Sequence, residues 1–148
     1  MISLAEFDQE MAGTRRMLEC LPEDKFAWKP HEKSATLEKL ANHLAAIPVG
    51  AAFALTGQGS KPSEVSSKSA LLKVFDERAA AARAAIEGAD GEKLAQTIRV
   101  TPVVTKTRGS ALKWWMSHMI HHRGQLSVYL RLFDVAVPGM YGKSADEN

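Results

Sequence analysis

A chain of 148 residues fits one domain spanning 1–148, and its 45 % apolar and 24 % charged residues exclude a disordered or fibrous protein. Nineteen basic against 17 acidic residues leave a net charge of +2 with no basic block, so nucleic acid is not an expected partner. One cysteine, Cys20, excludes an internal disulfide framework and a cysteine-rich zinc site.

The N-terminus, MISLAEFDQE, reaches acidic residues at once and carries no signal-peptide pattern, so a cytoplasmic location is expected. Leu4, Phe7, Met11, Thr14, Leu18 and Leu21 then alternate at spacings of three and four, the stripe of an amphipathic helix. Ser3 and Glu6 have the spacing of a capping box, and Pro22 marks the stop. PEDKFAWKPHEKSAT reads as a connection. A second helix is predicted from near Thr36, with Leu37, Leu40, Leu44, Ile47 and Ala51 on one face and a kink at Pro48. It falls within 21 uncharged residues between Lys39 and Lys61, a stretch long enough to span a bilayer. Asn42, His43, Pro48, Gly50, Thr56 and Gln58 dilute that stretch, so a buried helix is expected and no membrane.

GQGSKPSEVSS is a loop. A third helix is predicted from about Ser67 to Glu87 on Leu71, Leu72, Phe75, Ala79, Ala82 and Ile86, with Gly88 as its C-cap. TIRV and VVTK fit either a short β-ribbon around Pro102 or an extended crossover. The last helix, about Ser110 to Phe133, precedes an irregular tail, DVAVPGMYGKSADEN. The fold class is all-α, and four helices of comparable length lead to a four-helix bundle.

The last helix places Leu112, Trp115, Met116, Met119, Leu126, Tyr129, Leu130 and Phe133 on one broad face. His122 lies inside that face, and His118 lies one turn earlier on its flank, so the two rings can converge. Trp114, His121, Val128 and Leu132 form a second apolar stripe, which needs burial against another element or a second copy of the chain. His43 flanks the stripe of the second helix. If the two helices are neighbours, His43, His118 and His122 form the three-imidazole ligand set of an open zinc-type site, one that nickel or ferrous iron would also accept. Packed core histidines without metal are the competing reading. His121 points away from the pair and suits an interface or a place behind the ligands, and His31 suits solvent. No acid or base is marked by spacing: Glu32 and Glu38 read as surface groups, and Cys20 faces away from its helix's stripe. Arg123 projects toward the main apolar face, suited to bridging helices, pairing a carboxylate or orienting an anion. Trp28, Trp115 and Tyr129 suit either a core or a pocket wall.

LEKLANHLAAIP, SHMIHHRGQLSVYLRL and VPGMYGKSADEN together resemble the DinB-like family of metalloenzymes, unrelated to the DNA polymerase that shares the name. HMIHHRGQL carries most of the resemblance, which extends over almost the whole chain. It implies an up-down-down-up connection of the four helices, with a long crossover at about 89–108 before the last one. It also implies metal ligation by His43, in its L-x-x-H-L context, and by the H-x-x-x-H pair His118 and His122. Zinc or nickel is the expected divalent metal. A homodimer is the expected assembly. The family's characterised enzymes include thiol-dependent transferases and isomerases, while many members have no known reaction, so a low-molecular-weight thiol and a small-molecule substrate are expected partners. The resulting expectation is a metal-dependent transferase or hydrolase; the alternative is a non-catalytic metal- or ligand-binding stress protein.

Overall fold

Helix α1, Leu4–Glu19, starts at the predicted capping box. The Ser3 hydroxyl accepts from the Glu6 N–H at 3.1 Å, and the Glu6 carboxylate accepts from the Ser3 N–H at 2.7 Å, so two of the helix's orphan donors are satisfied reciprocally. The computed structural model describes residues 2–59 and 61–147. Among these the chain is mostly helical, with five α-helices, a short 3-10 turn at Glu23–Lys25 and one two-stranded ribbon.

Helix α2, Leu37–Thr56, is capped by Thr36, whose hydroxyl accepts from the Lys39 N–H. It runs unbroken through Pro48, the expected kink site. In the turn the proline disturbs, Arg78 reaches across and donates to the Ala45 carbonyl at 3.1 Å. The helix stops at Gly57, whose φ of 73° is the left-handed conformation that glycine adopts without strain. Arg108 then donates to the terminal carbonyls of Ala54 and Leu55.

Helix α3, Lys68–Glu87, has Ser67, the predicted start, as its N-cap and Gly88 as its C-cap, as the sequence suggests. The uncertain segment resolves into a short helix, α4, Gly91–Ala95, capped by Asp90, followed by strands β1, Thr97–Thr101, and β2, Val104–Thr107. The strands pair antiparallel from Thr97 opposite Thr107 to Thr101 opposite Val104. Thus the ribbon forms, and α4, at five residues, is too short to show periodicity in the sequence. Helix α5, Arg108–Arg131, begins two residues earlier than predicted because Thr107 caps it, accepting from the Ser110 N–H.

Pairwise contacts give the helix directions. Asp8–Arg83 and Arg15–Asp76 set α1 antiparallel to α3. Ala45 beside Arg78, and Leu55 beside Ala85, set α2 parallel to α3. Gly50 under Trp115, with Arg108 at the far end of α2, sets α2 antiparallel to α5. The interior is filled from all four long helices by Phe7, Leu18, Leu44, Phe75, Leu112 and Met119, each almost wholly buried. The tail stays irregular, as predicted, but is tied down: Asp146 accepts from Arg131 and the Val137 N–H, and Glu147 accepts from the Gly139 and Ser144 N–H groups. No helix among the described residues is long and apolar enough to cross a membrane.

Candidate metal centre

The antiparallel contact of α2 with α5 brings together the histidines that the sequence singled out. His118 and His122, one turn apart on α5, lie with ring centroids 4.4 Å apart. His43 reaches them from α2, with its ring 5.0 Å from His118 and 4.4 Å from His122. One nitrogen from each ring falls within 4.8 Å of the others, and the Nε2 atoms of His43 and His118 are 2.8 Å apart. Two imidazoles bound to one tetrahedral ion at about 2.0–2.1 Å have nitrogens about 3.3 Å apart, so the observed spread brackets the spacing a metal requires. These rings therefore fit a divalent cation with a further position left for a small ligand.

The protonation states suit that role. The Gln125 amide oxygen, which can only accept, lies 2.6 Å from His122 Nδ1, so Nδ1 donates and the lone pair of the neutral tautomer is on Nε2. Burial lowers the His118 pKa to about 4, helped by His122, His43 and His121. Burial, and then the neighbouring His122, also lowers that of His43. Both rings are neutral near pH 7, as ligation demands. Gln125 was missed as a functional residue; its signal was its place three residues after His122, within one helical turn.

Around the cluster the walls are aromatic and apolar. The Trp114 ring stacks on His118 at 5.8 Å and 22°. Trp115 lies flat on α2 at Gly50, where any Cβ would overlap the indole. Beside His43 a cavity of about 340 Å³ opens between α2, the following loop and Trp115. Trp28 and Tyr129 lie elsewhere, packed edge-on at 5.6 Å, with the Tyr129 hydroxyl donating to the Ala35 carbonyl. Of the three aromatics considered for a pocket wall, Trp115 alone lines this one.

Other sequence candidates fall outside the cluster. Arg123 is 3 % exposed and turns toward α1, where it donates to the Glu10 carboxylate at 2.6 Å, the Thr14 hydroxyl and the Tyr141 hydroxyl. It bridges helices and pairs a carboxylate. His121 is exposed and meets His122 edge-on at 4.9 Å without joining the ligand set. His31 is exposed, and its Nδ1 accepts from the Lys33 N–H. Cys20 donates to the Arg16 carbonyl, and burial raises its thiol pKa. No carboxylate joins the histidine cluster among the described residues.

A short segment of 39 residues is 44 % identical to the uncharacterized protein YrdA of Bacillus subtilis (strain 168), covering 26 % of this chain and 23 % of that protein. Over the whole fold the chain is similar to the DinB-like protein YjoA of Bacillus subtilis, with a TM-score of 0.74 and 21 % identity over 98 % of this chain and 97 % of that one. A DinB-like protein of Bacillus cereus ATCC 10987 superimposes with a TM-score of 0.79 and 21 % identity, covering 93 % of this chain and 95 % of its own. The family model described as the DinB family matches residues 2–148, and with the shared fold this establishes that the chain belongs to the DinB family.

Proposed function

We propose that this protein is a metal-dependent enzyme acting on a small molecule, a transferase or hydrolase, in which His43, His118 and His122 hold one zinc or nickel ion. The observation that carries the reading is the convergence of three ring nitrogens, from two helices, within 4.8 Å. Bound there, the ion would keep its full charge against three neutral ligands and lower the pKa of a thiol or water at its open position. The chain's own residues do the rest. The lowered pKa values of His43 and His118 keep both rings neutral, so each has one nitrogen lone pair to offer. Gln125 fixes the tautomer and direction of His122, and Trp114 covers one face of His118.

The scaffold we assign is a four-helix bundle running up-down-down-up. Support comes from α1 antiparallel to α3, α3 parallel to α2, and α2 antiparallel to α5. The 88–107 segment, with α4 and the ribbon, is then the crossover from α3 to α5. We further propose a homodimer through the outer face of α5, where Trp114, Val128 and Leu132 are 36 %, 59 % and 58 % exposed.

The test is turnover on two panels, one of low-molecular-weight thiols paired with electrophiles and one of hydrolysable esters and amides. The expected result is activity on one panel with zinc or nickel added, lost in His122→Ala with its helical circular dichroism intact. Activity that survives in His122→Ala would overturn the assignment. No turnover on either panel by protein that holds metal would favour a non-catalytic binding protein.

A further inference from the structure

The cavity beside the histidine cluster indicates what kind of molecule the site takes. It has a volume of about 340 Å³ and shares His43 with the cluster, so whatever fills it lies next to the imidazoles. Apart from His43, each wall residue is an alanine, isoleucine, valine, glycine, phenylalanine, proline or tryptophan; no Lys, Arg, Asp or Glu lines it. Ala46, Val49 and Phe53 present one helical face of α2, Pro62 comes from the following loop, and the Trp115 indole closes the α5 side. Residue 50 is glycine, which lets the indole lie against the α2 backbone at this wall.

Two arginines flank this part of α2, and neither is available to a ligand's charge. Arg78 donates to the Ala45 and Ser63 carbonyls, and Arg108 donates to the Ala54 and Leu55 carbonyls. A carboxylate or ammonium seated against these walls would lose part of its hydration and find only the His43 ring to replace it, whereas an aliphatic or aromatic group would lose only ordered water. At about 30 Å³ per water-sized group, the volume accepts roughly ten non-hydrogen atoms.

We propose that this cavity is the subsite for an uncharged, apolar body of the substrate, an alkyl or aryl group of roughly ten heavy atoms, whose polar reactive end reaches the histidine cluster. Its assignment to a substrate rests on the metal-site reading above; the apolar selectivity rests on the cavity alone. A charged or strongly hydrated substrate body is thereby disfavoured, and discrimination comes from desolvation rather than from a complementary charge.

The experiment titrates the full-length protein as purified, its zinc and nickel content recorded, with 1-butanol through 1-octanol, 1,6-hexanediol and hexylammonium. Site-specific binding is read from the ¹⁵N–¹H amide shifts of Gly50 and Gly59. The expected result is saturable shifts at both amides, with affinity rising about three- to fourfold per added methylene until the cavity is full. Hexylammonium and 1,6-hexanediol should bind at least about tenfold more weakly than 1-hexanol. Ala46→Leu, which fills the space, and Val49→Asp, which charges it, should each weaken 1-hexanol binding by about tenfold or more while leaving metal content unchanged. Absent shifts at Gly50 and Gly59, affinity that is flat with chain length, or equal binding of hexylammonium would overturn the proposal. Protein that holds metal but ignores the alcohols loses this inference alone. Protein that binds the alcohols but takes up no metal keeps the apolar pocket and loses the metal reading.

Discussion

Gln125 shows how one side chain sets the chemistry of another. Its amide oxygen accepts from His122 Nδ1 at 2.6 Å, which leaves Nε2 as the lone-pair nitrogen of the neutral ring. Removing an outer-shell partner of this kind typically weakens metal binding by about 10–100-fold. Gln125→Leu should therefore lower zinc affinity within that range in a chelator competition, with helicity unchanged, and Gln125→Glu should restore most of it. His118 gives a second, pH-linked expectation. Its pKa is about 4 in the folded protein, below the free value of about 6.5. Between those values the unfolded chain binds a proton that the folded chain does not, so stability rises with pH across this window. The metal-free protein should lose stability as pH falls from about 6.5 toward about 4 and gain nothing from this group above about 6.5. The ring is half-buried, so the slope stays well below the ~1.4 kcal/mol per pH unit of an unscreened group. Urea titrations across pH should show this slope in the wild type and a flatter one in His118→Asn. The i, i+4 pair was legible in the sequence because one helix fixes it. The Gln125 contact was legible only as a spacing, since an amide three residues on has many other rotamers.

Helices α1 and α5 and the C-terminal tail meet at Arg123, whose guanidinium donates to Glu10, Thr14 and Tyr141. The Tyr141 hydroxyl in turn donates to the Glu10 carboxylate at 2.9 Å, so three segments close one polar network. The Arg123 and Glu10 side chains are 4 % and 14 % exposed, which makes the pair costly to break from one side. Arg123→Met should destabilise the protein by about 3 kcal/mol, the lower end for a buried pair because Tyr141 still donates to Glu10. Urea denaturation would measure the loss, and the double change with Glu10→Leu should recover part of it. Metal content should not move in either variant, since this network lies outside the histidine cluster. The sequence placed Arg123 on the buried face of its helix, because periodicity reports faces. It could not name Glu10 or Tyr141, whose approach depends on the packing of distant segments. The caps at Ser3 and Gly88 were legible, being local choices of residue type, and the starts near Thr36 and Ser67 fell where those residues cap their helices.

For the molecule as a whole, one arrangement of helices does two things. Setting α2 against α5 in opposite directions carries His43 to the His118/His122 pair and lays Trp115 against Gly50, so the ligand set and the adjoining cavity arise from the same contact. The sequence alone left His43 conditional, because nothing local to residues 37–56 states which helix lies beside them; the likeness to the DinB family supplied that neighbour. The most direct test of the account is the metal content of the protein purified without an affinity tag, supplemented with zinc or nickel and then dialysed. The account predicts about one ion per chain, retained near pH 7.5, released under mild acid and lost in His43→Ala as in His122→Ala. Below roughly a tenth of an ion per chain in the folded wild type, or full occupancy in His43→Ala, would contradict it.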